Sequence, residues 1–376
     1  MSRSASPSEQ RVGQWRYPTL ALLLACLAAL PLLAGPGFLN TRAGGDSPFL
    51  LLRVHQMSKA LREGAFPVRW MPDAAYGLGY PAYRYYAALP YYIASALDLS
   101  GLGVLWGIKI TQLLGFLLAG GMAYLLAHQL GLAPPGALLA SGLYTFAPFH
   151  LVNVYVRGDS LGEFWAMGLF PLILWALGRL RARPSIARAV VAALAFAALV
   201  LSHNVSALLF SPFVALWVLF GASLRSRPGR LWLAWAAGAI ALGLALSAWF
   251  WVPALGEQRL VQLSDQTTGF FHYAGHFRGG NLLQWNLAHD YAISAQQTPF
   301  NMGLLQGFVA VAGLVAALRL ALRRRLTPGV AWAGATLLLA TLMITPWSRP
   351  IWDHLPLLPM AQFPWRFLSI QALAIA

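Results

Sequence analysis

Apolar runs of about one membrane thickness, broken by short polar stretches, leave this chain few ways to fold. Leu20 to Phe38 passes without a charged side chain, and comparable runs recur as far as Ile344. A helix needs roughly 20 residues to cross the hydrocarbon of a bilayer. Backbone in lipid must satisfy its own hydrogen bonds, so only helices or closed barrels span it. Barrel strands alternate apolar and polar residues, whereas these runs are continuously apolar. With 59% hydrophobic and 10% charged residues, the sequence predicts an all-α, polytopic helical membrane protein, a single transmembrane domain over residues 1–376.

About nine complete spans can be drawn, plus the start of a tenth. The first covers Pro18 to Ala34 and the second about Val104 to Ala127. Four more follow at about Ala137 to Val154, Phe164 to Leu180, Ala187 to Leu201 and Val205 to Ala222. The seventh to ninth lie at Leu231 to Val252, Met302 to Leu320 and Val330 to Ile344. A tenth begins near Phe367, but the residues left to Ala376 cannot cross about 30 Å at 1.5 Å per residue, which reads as a fragment of a longer chain. The first run has the flanks of a secretory signal but is long for one, and Pro31 and Pro36 blur a cleavage site, so an uncleaved anchor is expected.

Charge placement predicts orientation. Arg179, Arg181, Arg183 and Arg188, then Arg225, Arg227 and Arg230, then Arg319, Arg323, Arg324 and Arg325 stand between apolar runs. The positive-inside rule puts these clusters and the basic N-terminus in the cytoplasm of an inner (plasma) membrane, multi-pass. Parity then leaves long outer loops at about 35–103 and 253–301. Pro81 to Leu97, rich in tyrosine and carrying Arg84, Pro81 and Pro90, reads as an interfacial helix rather than a crossing. Every Asp and Glu except Glu9 falls on the predicted outer side. Insertion does not demand that bias, so function is expected there. The net charge of +15 does not point to nucleic acid, because no soluble basic domain carries it. Cys26 is the one cysteine, so no intrachain disulfide can form.

In the first outer loop, Gly44-Gly45-Asp46-Ser47-Pro48 sets an acid at the water edge of the membrane. A loop carboxylate facing a lipid-borne phosphate or sugar can accept a proton from an acceptor hydroxyl or help hold a divalent cation; Asp46 could equally be a helix cap. A helix starting at Ser47-Pro48 can bury Phe49, Leu50, Leu52, Met57 and Leu61 against lipid or protein while Arg53, His55, Lys59 and Arg62 meet water or phosphates. Between the third and fourth spans, Arg157, Asp159 and Glu163 lie close enough to pair: a hydrated turn with an internal salt bridge, or a site in which Arg157 meets phosphate and the acids meet an amine or metal. Glu163 leads directly into lipid-depth residues, where a charge is costly unless used.

His203-Asn204 makes a polar point between two apolar runs, able to bind sugar hydroxyls or only to satisfy helix ends. In the last large loop, His272 and His276 have the spacing of a zinc pair, but Gly275 weakens a helix and no third ligand is fixed, so no metal site is assigned. His276 and Arg278 instead sit in an aromatic loop suited to sugars or headgroups. At the mouth of the tenth span, Arg366 can clamp a lipid phosphate or snorkel, with Trp365 as interfacial anchor. No Walker loop, dinucleotide fingerprint, nucleophile elbow or HExxH motif occurs. Energy for chemistry would have to come from an activated lipid donor.

Gly45-Asp46-Ser47-Pro48, Gly64-Ala65-Phe66-Pro67-Val68-Arg69-Trp70, Arg157-Gly158 with Glu163, Leu201-Ser202-His203-Asn204, Trp251-Val252-Pro253 and Gln362-Phe363-Pro364-Trp365-Arg366 together resemble the bacterial 6-pyruvoyl-tetrahydropterin synthase-related integral membrane proteins, which are similar to the GT-C class of polyprenyl-phosphate-sugar glycosyltransferases. The resemblance implies a GT-C-like fold with a long first outer loop carrying interfacial helices and a catalytic acid, matched by position only by Asp46. No acidic pair surrounds Asp46, and nothing in the chain supports pterin chemistry.

The expected function is therefore transfer of a sugar from a polyprenyl-phosphate donor to an acceptor at the extracytoplasmic face. Asp46 would be the base, Arg157, Arg278 and Arg366 would meet phosphate, and Asp159, Glu163, His203, Asn204 and His276 would line the substrate site. The partners would be a polyprenyl-phosphate-linked sugar and membrane lipids, and no cofactor is required beyond a candidate divalent cation. A transporter or flippase for lipid-linked glycan, or a noncatalytic membrane assembly protein, are the alternatives.

Overall fold

The structure, a computed structural model, describes residues 7–37, 47–158, 160–223, 226–262, 265, 267–294 and 298–376, with side chains from Trp15 onward. Sixteen α-helices follow in order among the described residues. They are α1 (Pro7–Ala34), α2 (Ser47–Arg62), α3 (Ala82–Tyr85), α4 (Leu89–Leu97), α5 (Gly103–Gln129), α6 (Pro134–Thr145), α7 (Pro148–Tyr155) and α8 (Leu161–Ala182). Then come α9 (Ile186–Ser202), α10 (Asn204–Phe220), α11 (Arg227–Leu246), α12 (Ala248–Gly256), α13 (Leu304–Leu322), α14 (Pro328–Ile344), α15 (Arg349–His354) and α16 (Leu368–Ile375). Extended pairing among the described residues is confined to the isolated bridges Met71–Tyr80 and Leu283–Met302.

The boundaries follow local chemistry. Proline opens α6, α7 and α14, where its missing N–H costs nothing and its fixed φ suits the first turn. Gly131, at φ 96°, closes the end of α5 as left-handed glycine closes many helices. Gly101 and Gly103 are also left-handed and break α4 from α5, which leaves α4 at nine residues, about 14 Å long and too short to cross.

The nine predicted spans fall on helical segments, the third divided between α6 and α7 and the seventh between α11 and α12. Among the described residues, five stretches are long and apolar enough to cross a membrane, or up to seven when the bent pairs are each taken as one span. The bends are 43° between α6 and α7, and 87° between α14 and the segment Pro346–His354. The first bend falls at Ala147-Pro148, because a residue preceding proline is pushed out of helical geometry. At 17 residues each, α9 and α10 are shorter.

α5 packs on α1, α4, α6 and α8, while α9 fits between α8 and α11, and α14 meets α10, α13 and α16. The apolar window of α8 is 83% buried and that of α13 only 11%, so α8 is the inner helix of the bundle and α13 is left at its margin. That centrality gives α8 the surroundings needed to hold an ionised residue away from lipid.

On α2, Leu50, Val54 and Met57 are buried against protein, whereas Phe49 and Leu52 lie on the protein surface, the side left for lipid. Aromatic neighbours from distant sequence turn the helix: the Arg53 guanidinium lies 4.3 Å from the Tyr86 ring centre and donates to the Tyr91 hydroxyl at 3.4 Å. Polar clamps tie the first long loop down. Asp73 accepts from Lys59 at 2.6 Å and from Gln56 at 3.1 Å. Arg84 donates to Glu257 at 2.6 Å, and Arg69 to the Trp249 carbonyl at 2.9 Å, which joins this loop to α12.

Hydrogen bonds from Lys59 hold the Asp73 carboxyl below its ordinary pKa, and those from Arg84 do the same for Glu257. A depressed carboxylate stabilises fully above its unfolded pKa, about 4, and the contribution is lost as pH falls through the lower folded value. Amide exchange over residues 64–80, corrected for intrinsic rates, should therefore accelerate between about pH 5 and pH 3. D73N should remove most of that change, and identical protection at both pH values would count against the clamps.

Candidate functional site

The site gathers at the N-terminal end of α8. Glu163 stands in the first turn of that helix, where the positive end of the helix dipole favours a carboxylate. Beside it, Gly162 lets two backbones meet, because a Cβ there would lie 2.5 Å from the Ser202 carbonyl oxygen. The end of α9 is thereby pressed against the start of α8. His203, extended at φ −157°, is the single residue between α9 and α10. Its Nδ1 accepts from the Ser206 amide at 3.2 Å and lies 2.7 Å from the Ser206 hydroxyl, capping α10.

Arg157 comes from the turn after α7, which left-handed Gly158 (φ 77°) reverses. Its Nη1 donates to Glu163 Oε2 at 2.5 Å and to Asn153 Oδ1 at 2.7 Å. Arg366, on a one-turn helix leading into α16, places Nε 3.7 Å from the same Glu163 oxygen. Side-chain exposure is 1% for Glu163, 15% for Arg157 and 10% for Arg366, so one carboxylate and two guanidinium groups share a nearly dry site. His203 lies within the electrostatic reach of all three. Three buried polar atoms here lack a hydrogen bond among the described residues: Glu163 Oε1, Ser202 Oγ and Arg366 Nε.

Trp365, expected as an interfacial anchor, is buried instead. Its ring stacks between Phe300 (4.2 Å, 12°) and Phe363 (4.8 Å, 15°). The Arg157 guanidinium lies 5.1 Å from its centre. Arg278 donates to the Phe300 carbonyl at 2.8 Å and to Thr298 Oγ1 at 3.5 Å, and so braces the loop behind Trp365. Burial brings its pKa down to about 10, still protonated at neutral pH. His276 sets Nε2 2.5 Å from the Phe270 carbonyl and its ring against Phe363 at 4.7 Å; burial lowers its pKa and favours the neutral ring.

Glu163, Arg157, Arg366 and His203 thus converge, while Arg278 and His276 belong to the aromatic loop beside them. Asn204 is exposed at the start of α10. Asp46 and Asp159 lie outside the described residues. No three His, Cys, Asp or Glu residues converge as a metal site among the described residues. Two guanidinium groups beside Glu163 also make it a poor cation ligand, and His272 Nδ1 accepts from the Ala274 amide at 3.3 Å. Sequence reasoning missed Asn153, and it gave no role of their own to Gly162 or to Ser202, quoted only within Leu201-Ser202-His203-Asn204. Asn153 stands four residues before Arg157, a spacing that could have marked it; the other two act through contacts that no local pattern records.

The fold is similar to that of the Archaeoglobus fulgidus oligosaccharyltransferase in its apo form, at TM-score 0.58 and 14% identity. The oligosaccharyltransferase AglB of the same organism, in complex with an inhibitory peptide and a dolichol-phosphate, matches at 0.59 and 14%. Each comparison covers 96% of this chain and 50% of the archaeal one, so the chain spans half the length of these structures. An uncharacterized protein of Lactococcus lactis subsp. cremoris (strain MG1363) is 27% identical over 213 residues, which is 55% of this chain and 33% of that protein. These likenesses establish a GT-C-like helical membrane fold. The model of the family described as 6-pyruvoyl-tetrahydropterin synthase related domain, a membrane protein, matches residues 83–376, and the chain belongs to that family.

Proposed function

We propose that this chain is the membrane part of a glycosyltransferase that takes a sugar from a polyprenyl-phosphate donor at the extracytoplasmic face. The observation that carries this reading is the charge imbalance at the site: Arg157 and Arg366 share one carboxylate, Glu163. A buried cation without a full counter-charge is costly, and a monoanionic phosphate would complete the set. Planar guanidinium groups suit that ligand. As a sugar leaves its lipid carrier, negative charge collects on the phosphate, and fixed cations in a dry site stabilise that charge most effectively.

Orientation follows from the basic clusters. Arg179, Arg181 and Arg183 mark the far end of α8, and the positive-inside rule sets that end in the cytoplasm and the Glu163 end outside. A lipid-linked partner is consistent with the dolichol-phosphate in the archaeal complex. Asp46, next to the start of α2, is the proposed base that accepts the proton of the acceptor hydroxyl, and Glu163 is a positioning residue that holds the two arginines in place.

D46N should lower sugar transfer at least about 100-fold, the scale of general-base loss, with an unchanged thermal midpoint. Transfer from a radiolabelled polyprenyl-phosphate sugar by the reconstituted full-length protein checks it. Retained transfer would remove Asp46 as the base.

A further inference from the structure

A cavity of about 420 Å³ lies at the other end of the bundle from Glu163. It forms where α5, α8 and α10 end and α14 begins, and Gln129, Gly178, Arg181, Trp217 and Thr327 are among its lining residues. Along α8, Arg181 is roughly 27 Å from Glu163 at 1.5 Å per residue, so this space is separate from the carboxylate site and independent of the function proposed for it.

Its lining asks for two kinds of partner at once. Arg181 has no carboxylate partner among the described residues. Arg179 and Arg183, on the same helix end, add to its positive charge. An anion is favoured there. Gln129 supplies the second demand. Its Nε2 occupies the space where a Gly178 side chain would stand, and its Oε1 is buried without a hydrogen-bond partner. That acceptor lacks a donor, and helix ends nearby present carbonyl groups with the same need. Inorganic phosphate can offer both the charge and an O–H donor, but it leaves the apolar part of the lining uncovered. A phosphate diester that also carries a hydroxyl or ammonium group meets both, while Leu130, Trp217 and Pro328 offer an apolar wall to the glycerol and upper acyl chain. The volume falls in the range of small-molecule sites.

We propose that this cavity binds the headgroup of a glycerophospholipid that carries hydrogen-bond donors, with Arg181 on the phosphate and Gln129 on the donor. With the basic end of α8 in the cytoplasm, it would be a lipid of the cytoplasmic leaflet.

Native mass spectrometry of the purified full-length protein, exchanged into phosphatidylcholine nanodiscs holding a small fraction of phosphatidylglycerol, tests the assignment. The wild type should retain phosphatidylglycerol over phosphatidylcholine, and millimolar inorganic phosphate should not displace it. R181Q should lower retention at least about tenfold, the scale of one charge-assisted hydrogen bond. A182W, at an exposed position on the rim, should block it without disturbing the core, and the near-isosteric Q129L should weaken it. R188Q, at the same end of the bundle but not lining the cavity, should leave it unchanged. Equal retention in R181Q, A182W and R188Q would show attraction by the basic surface and overturn the proposal. Equal retention of phosphatidylcholine, or displacement by inorganic phosphate, would overturn it as well.

Discussion

Glu163→Gln should destabilise the folded protein by about 3–5 kcal/mol, the scale seen when one partner of a buried ion pair is removed. The carboxylate is 1% exposed and lies between Arg157 and Arg366. Glutamine keeps its shape and removes its charge, so two guanidinium groups face each other across a dry site with no anion between them. The consequence for binding has the opposite sign. With the competing carboxylate gone, an added phosphate meets a stronger positive field, and the variant should gain more thermal stability from polyprenyl phosphate than the wild type does. Differential scanning of both proteins, with and without the lipid phosphate, measures the two effects together. A loss of stability with no extra gain from the ligand would make Glu163 a structural ion-pair member and nothing more.

Gly162→Ala should be nearly as damaging, for a steric reason. The new Cβ would lie 2.5 Å from the backbone oxygen of Ser202, and no rotamer change relieves a clash with backbone. Either α8 or the end of α9 must move, at a cost of about 1–3 kcal/mol or more, as overpacked cores show. That shift would carry Glu163 and His203 apart, so transfer should fall more than stability does. G275A is the comparison, since a Cβ at Gly275 meets nothing within 4 Å. Equal behaviour of the two variants would contradict the close approach.

The helical frame was readable because lipid removes alternatives: a long apolar run can only be a helix, and Pro134, Pro148, Pro328 and Gly131 mark ends by rules that act within a few residues. What escaped depended on distant partners. The bend within the third predicted span was signalled by Pro148, yet its direction comes from packing. Arg53 of α2, read as facing water or phosphates, meets Tyr86 and Tyr91, which come from the segment after α3 and from α4. Trp365 was expected at the membrane interface, but Phe300 and Phe363 enclose it. At the site, Arg157 and Glu163 stand six residues apart, so their pairing could be weighed from the sequence. Arg366 reaches the same carboxylate from the far end of the chain. Membrane sidedness could place it on the same face, but no pattern could place it 3.7 Å away.

Arg157 and Arg366 are proposed to hold a lipid-borne phosphate. The most direct test of that role is the affinity of the reconstituted full-length protein for polyprenyl phosphate, compared among wild type, R366A and the surface variant R349Q. Binding should be saturable, weakened at least about tenfold in R366A, as expected for loss of a charge-assisted contact, and unaltered in R349Q. Binding of equal strength in all three would contradict that role.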